Sequence, residues 1–482
     1  MSLQPPPAAQ QETHHPDINH VKKGKTMKSS PLLARHARGA VRAAVAVLAV
    51  SAVVALAGCA SANQSNDSGS GTFKPAAQDD KSTITVWADS TRLPSVQAYQ
   101  KSHPNAKLNI VTYDGSANGS TYLQTKVQLF DRTGKGWPDV VFASPTDVTW
   151  ASKPTGPSAQ AYAAPVDTLV SKATLDGFAK GSLAYCQYNG HTYCLRNDIA
   201  QVVLWYNKTL LDQFGYTVPT TWEQYQQLSD KVSKEHPGYL LGSIGDTNSQ
   251  ESYFWASRCP AFSLTGNTLR TALSDPNCTR MATLLDSMIA NKTISTQGFF
   301  SADFAKTSGD KVLMAYGPSW FGQYVFNAAF KTPAGQISAA NPLKWDGESA
   351  GYTGNVGGGV WMISSHSKNL KAATAVTKWL TTSDANQAGA PTYPAYSAAA
   401  KSWLANPANS QYFATDVSGA FQTAADEIWT GWSNTKFSDQ TAWSSIVLPG
   451  LTAGKTLTSL LPDWQAAIAD EAKSVGYTVT TK

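Results

Sequence analysis

Apolar positions recur along this chain in two rhythms that alternate with each other. Thr83-Ile84-Thr85-Val86-Trp87 is a short apolar run suited to a strand, Leu93 to His103 suits a helix, and Leu108 to Thr112 suits a second strand. The folded part therefore opens as β-α-β. Leu123, Val127 and Phe130 share one helical face, and Pro138-Asp139 leads into the buried-type strand Val140-Val141-Phe142. Strands alternating with helices imply an α/β fold whose sheet is largely parallel and covered on both faces. Val202 to Tyr206 predicts another strand, and Thr220-Thr221-Trp222-Glu223 has the spacing of a capping box opening a helix on Trp222 and Tyr225. Ala373, Val376, Trp379 and Leu380 mark one more amphipathic helix. Leu457, Leu461, Trp464 and Ile468 mark the last, with Pro462 expected in its first turn.

Ahead of these elements the pattern changes. Lys28, Arg35, Arg38 and Arg42 precede an uncharged Ala/Val/Leu run from Ala43 to Ala57 that ends in small residues, the form of an export signal. At about 15 residues the run falls short of the roughly 20 that a spanning helix needs. It closes on Leu56-Ala57-Gly58-Cys59, which resembles the bacterial lipobox. That resemblance implies acylation (palmitate) on Cys59, which becomes the first mature residue and anchors the protein to the outer face of the cell membrane. Residues 1–26 show no apolar period, and Met27 is the expected true start. Ser61 to Lys81 has almost nothing to bury, so 59–81 is expected to be a disordered tether. The roughly 400 residues that follow exceed what one core usually holds, so two lobes are expected.

The net charge of +5 does not belong to the body, because residues 1–58 hold seven Lys/Arg against two Asp/Glu. A near-neutral body argues against a nucleic-acid partner, which needs clustered cations. Cys186, Cys194, Cys259 and Cys278 remain after Cys59. Three pairings are open to an exported chain, and the short-range one joins Cys186 to Cys194 and Cys259 to Cys278. The remaining histidines, His103, His191, His236 and His366, are too scattered to suggest a metal site. No cofactor is implied.

Seven short motifs occur in an order similar to that of the extracellular solute-binding proteins of carbohydrate ABC importers, the maltose-binding-protein-like family. They are Ile84-Thr85-Val86-Trp87, Trp137-Pro138-Asp139-Val140-Val141-Phe142, Tyr188-Asn189-Gly190, Trp205-Tyr206-Asn207-Lys208, Pro219-Thr220-Thr221-Trp222-Glu223, Gly317-Pro318-Ser319-Trp320 and Ser367-Lys368-Asn369. The resemblance runs from about Ser82 to the C-terminus. It implies a type II binding-protein fold with a mixed, mostly parallel sheet in each lobe. The N-lobe would be 82–196 plus 356–400 and the C-lobe 197–355 plus 401–482, with a hinge closing on ligand. It further implies a monomer that delivers a di- or oligosaccharide to membrane permease subunits and, through them, to a cytoplasmic ATPase.

A sugar offers apolar C–H faces and equatorial hydroxyls, so its site needs aromatic platforms beside carboxylates, amides and guanidinium groups. By resemblance, Asp89 and Arg92 follow the first strand at its ligand edge, Ser144 and Asp147 form a contact loop, and Asp198 lies at the lobe crossing. Where the family's maltose binder has a tryptophan in that contact loop, this chain has Ala143, which counts against a maltodextrin-like grip. Glu251 and Tyr253 stand where that binder has Glu-Pro-Tyr. Trp320, Trp361, Trp432 and Trp443 are the candidate stacking rings, although Trp320 is offset by one position. Gly358, within Gly357-Gly358-Gly359, lets backbone approach a ligand. Each has a structural alternative: Asp147 as a helix cap, Asp198 as the partner of Arg196, Glu251 as a cap, and Tyr253 and Trp361 as core. A secreted glycosidase using Asp198 and Glu251 is the rival enzyme reading, and a non-sugar solute is the rival ligand. The resemblance favours a binder without catalysis.

Overall fold

The computed structural model describes residues 73–113, 122–155 and 160–482; the leader and Cys59 lie outside them. β1 (Ile84–Ala88), α1 (Leu93–Ser102), β2 (Leu108–Thr112), α2 (Tyr122–Thr133) and β3 (Val140–Ala143) follow the predicted β-α-β-α-β order. β4 (Leu195–Arg196), β5 (Val202–Asn207), α3 (Trp222–Glu235), α4 (Ser249–Ala256) and α5 (Pro276–Ala290) come next. The remaining elements used below are β6 (Met314–Pro318), β7 (Ile337–Ala340), β8 (Val360–Ile363), α6 (Leu370–Thr382) and α7 (Leu457–Ser474).

A five-stranded sheet has the order β2-β1-β3-β8-β4. β1 runs parallel to β2 and β3, whereas β8 is antiparallel to β3 and β4. Side-chain alternation gives this sheet two apolar faces. Val86, Phe142 and Trp361 point to one, and Val141, Ala143 and Met362 to the other. The second sheet, β6-β5-β7, is antiparallel throughout, and parallel pairing recurs beyond the first sheet in the short ladders of Gly242–Ser243 with Ile294–Ser295 and Thr268–Arg270 with Thr478–Thr480. β5 is buried on both faces. Val202 and Leu204 join a core with Trp222, Phe254, Met281 and Trp464, while Val203 and Trp205 face the other way. That other face belongs to the same apolar cluster as Val86, Phe142 and Trp361 of the first sheet, and within it Phe421 lies 5.7 Å from Trp205 and 6.1 Å from Trp403.

Two helix starts differ from the sequence reading. The cap of α3 is Thr221 rather than Thr220, accepting from the Gln224 N–H at 3.2 Å, and the Gln224 side chain accepts from the Thr220 N–H at 2.9 Å. Glu223 is thereby free to accept from the Asp346 N–H at 3.0 Å. In α7, Pro462 falls at the sixth residue, not in the first turn. The helix survives because Asp286 accepts from the Leu457 and Thr458 N–H groups at its positive end, and Leu457, Leu460, Leu461 and Trp464 are buried.

Both short-range disulfides, Cys186–Cys194 and Cys259–Cys278, are formed. Residues 73–81, expected within the disordered tether, are instead fastened to the start of α6. Gln78 Oε1 accepts from the Leu370 N–H at 2.9 Å, the Asp79 N–H donates to Lys368 O at 2.6 Å, and Asn369 Nδ2 donates to the carbonyls of Asp80 and Ser82, each at 3.1 Å. A short polar segment can order when exposed N–H groups at a helix start offer it partners. Among the described residues no helix is long and apolar enough to cross a membrane.

Candidate functional site

Beyond β3 the chain turns through Ser144-Pro145-Thr146-Asp147, where two side chains cap each other's backbone. Ser144 Oγ accepts from the Thr146 N–H at 3.3 Å, and Asp147 Oδ2 accepts from the Ser144 N–H at 3.2 Å. Asp147 Oδ1 accepts the indole N–H of Trp150 at 2.8 Å, fixing that ring. The opposite wall is the irregular segment Ser433–Gln440. Asn434 Nδ2 donates to Pro145 O at 2.8 Å, and Gln440 Nε2 donates to Glu251 Oε1, on the first turn of α4, at 2.7 Å. Between these walls lies a cavity of about 820 Å³, also bordered by Tyr185, Asn355, Gly357, Gly358, Phe437 and Asp439.

Glycine is required at 358. Its φ is +80°, and a Cβ there would lie 2.5 Å from Arg196 Nη2 and 2.8 Å from Asp198 O. A second cavity of about 570 Å³, lined by Trp432, Tyr188 and Tyr477, shares Thr149, Lys153, Tyr185, Ser433, Asn434 and Lys436 with the first.

Glu251 and Asp439 meet in the larger cavity, and among the described residues neither forms an ion pair with a base. Burial raises the Glu251 carboxyl well above the usual range and the charge of Asp439 adds to this, while the bond from Gln440 opposes it. Burial pushes Asp439 up to about 6, against the Trp432 indole and the N–H groups of Asp439 and Gln440. The Tyr185 phenol is raised by burial and by the same two acids. Lys153 is pushed down to about 8 by burial and then by the charge of Lys436.

Of the residues singled out by sequence, Ser144, Asp147, Glu251 and Gly358 border the larger cavity and Trp432 the smaller. Asp147 also fulfils its alternative as a cap. Asp89, Arg92 and Asp198 gather elsewhere. Arg92 sits 3.4 Å from Asp89 and 3.8 Å from Asp198, with its guanidinium 4.4 Å from the Phe142 ring centroid. Asp198 Oδ1 accepts from the Gly359 N–H at 2.8 Å; Arg196 bonds the Asp198 carbonyl, not its carboxylate. Trp320 is half-buried, its indole donating to Val356 O at 2.9 Å beside Phe300 and Tyr324. It lines neither cavity.

Three expectations are corrected. Tyr253 is 1% exposed, packed near Trp222 and Tyr316; Trp361 is wholly buried against Phe142, its N–H held by Asn197; and Trp443 is wholly buried against Phe254 and Trp464. A fully enclosed ring offers no face to a guest. Sequence reasoning missed Trp150, Tyr185, Asn434, Phe437, Asp439 and Gln440. For Trp150 the available signal was its place three residues after Asp147. Asn434, Phe437 and Asp439 lie in an irregular stretch that carries no period, while Tyr185 in a short 3-10 helix and Gln440 at the start of a three-residue helical turn sit in elements too short to show one.

The family profile described as bacterial extracellular solute-binding protein matches residues 85–387, well over half of the chain. The chain belongs to that family. Among solved structures, this solute-binding protein is similar to the binding protein of an ABC transporter from B. animalis subsp. lactis Bl-04 in complex with beta-1,6-galactobiose. The identity is 20% over 83% of this chain and 100% of that one, with a TM-score of 0.66. It is also similar to the galacto-N-biose-/lacto-N-biose I-binding protein from Bifidobacterium longum (18%, 84% and 100%, 0.68) and to the GacH receptor of Streptomyces glaucescens (19%, 82% and 99%, 0.60). These likenesses establish the α/β binding-protein fold, type II. A sequence search of curated proteins gave no match.

Proposed function

We propose that this solute-binding protein captures a di- or oligosaccharide in the 820 Å³ cavity and hands it, chemically unchanged, to the permease of an ABC importer. The carrying observation is the composition of that cavity. The half-buried rings of Trp150, Tyr185 and Phe437 and the polar groups of Asn355, Asn434, Gln440 and Glu251 line one space within the roughly 300–1,000 Å³ usual for small-molecule sites. Rings suit the C–H faces of a pyranose, and amides and carboxyls suit its hydroxyls. The sugars named for the galactobiose- and lacto-N-biose-binding neighbours support the same class. In this reading Cys59 carries the lipid anchor, and Asp89, Arg92, Asp198 and Trp320 form an outlying polar and aromatic rim. The lobes are 82–196 plus 356–400 and 197–355 plus 401–482, with motion limited near Trp403 and Phe421, where apolar packing is continuous.

The test is calorimetry and thermal shift of the mature protein across mono-, di- and trisaccharides, with chromatography of the recovered ligand. Stabilisation by an intact di- or trisaccharide is expected. Absence of any shift across the panel sinks the sugar reading, and hydrolysed ligand sinks the binder reading.

A further inference from the structure

The smaller cavity differs from its neighbour in charge. Among the described residues its lining contains Lys153 and Lys436 and no Asp or Glu. The Lys153 ammonium lies 5.1 Å from the centroid of the Tyr188 ring and makes no hydrogen bond or ion pair among the described residues. Lys436 Nζ lies 4.3 Å from the Tyr477 ring, held by neutral oxygens at Asn267 Oδ1 (3.2 Å) and Val475 O (3.5 Å). Three acids line the adjoining larger cavity, and none forms an ion pair with either lysine among the described residues; Asp439 is turned to the Trp432 indole and the Gln440 N–H. Asp147 uses both oxygens on Ser144 and Trp150, and Glu251 accepts from Gln440.

Among the described residues, two ammonium groups thus border the smaller cavity without an ion-pair partner, and the acids Asp147, Glu251 and Asp439 border only the larger one. Burial, and after it the charge of Lys436, pushes Lys153 down to about 8. A partly desolvated charge without a partner is unfavourable, and an anion brought by a guest would relieve it through charge-assisted hydrogen bonds. Because the two cavities share Lys153, Asn434 and Lys436 as a common border, a guest in the larger one can extend an end group into the smaller.

We propose that the smaller cavity receives an anionic substituent, carboxylate or phosphate, on one end of the captured sugar. The inference rests on the oligosaccharide reading of the larger cavity.

Calorimetry on the full mature chain with three matched ligands tests it: a neutral disaccharide, the same disaccharide ending in a uronic acid, and its terminal phosphate monoester. At least one anionic member is expected to bind about tenfold or more tighter than the neutral parent. That ratio should shrink as salt rises from about 0.05 to about 0.5 M and approach unity in Lys153→Met and Lys436→Met. Preference for the uronic acid assigns a carboxylate, and preference for the ester a phosphate. Equal or tighter binding of the neutral sugar overturns the inference while leaving the sugar reading intact, as does an anionic preference that survives both substitutions. If none of the three binds to folded protein, and the wider panel is also silent, both fail.

Discussion

The side-chain amide of Asn434 donates to the main-chain carbonyl of Pro145 at 2.8 Å and ties the Ser433–Gln440 wall to the turn after β3. Asn434→Ala removes a single neutral hydrogen bond, worth about 1 kcal/mol net, and is expected to weaken sugar binding by roughly 3- to 10-fold. Calorimetry giving wild-type affinity would mean that this tie takes no part in capture.

Two tryptophans should separate binding from stability. Trp150 borders the cavity, so Trp150→Phe, which deletes the donor to Asp147, should lower affinity by about tenfold with little change in melting temperature. Trp443 is enclosed by Phe254 and Trp464, so Trp443→Ala should cost on the order of 3–5 kcal/mol of stability. Urea titration distinguishes them; a Trp443→Ala protein with native stability would contradict the burial.

Asp439 imposes a pH dependence whose sign is fixed by linkage. Its folded pKa, about 6, lies above its ordinary 3.8, so the folded state holds the proton longer than the unfolded one. Its contribution is therefore most favourable below about pH 4 and is lost as pH rises toward and past 6. Asp439→Asn removes the penalty. Relative to wild type, the variant should gain on the order of 1 kcal/mol at pH 7.5 and about a third of that at pH 4.5, the full shift being discounted because Asp439 stays partly open to the cavity. Equal differences at the two pH values would contradict this assignment.

Gly358→Ala should destabilise by about 1–3 kcal/mol, since it combines a left-handed backbone with contacts inside van der Waals distance of Arg196 and Asp198. Gly357, also at positive φ but with nothing within 4 Å of a Cβ, should tolerate alanine better. Denaturation midpoints ranking the two in the opposite order would refute the packing argument.

Removing the Cys259–Cys278 bridge as a double alanine variant should cost about 3 kcal/mol, from the 19-residue separation it closes. An unchanged urea midpoint would show that the bridge adds nothing beyond the surrounding packing.

The first sheet was legible because Ile84, Val86 and Val140 sit in short apolar runs flanked by amphipathic helices, and burial on both faces left that pattern intact. The antiparallel pairing of β5 with β6 and β7 was not, since a run such as Met314–Pro318 carries no mark of direction. At the site, Glu251 could be found from its motif because a helix start fixes its position. Asp439 could not, because Ser433–Gln440 is placed by long-range bonds from Asn434 and Gln440. Resemblance located Trp443 in sequence, but the local helix turns that ring inward, toward Trp464.

The fastening of Gln78 and Asp79 onto Lys368 and Leu370 decides where a mechanical load would enter this molecule. Tension entering at Phe73 loads the packing of that ring against the core, then the bonds to Lys368, Asn369 and Leu370, before it can peel β1 from its neighbours. A pull from the N-terminal side is thus taken up at the start of α6 before it reaches the strand order of the first sheet.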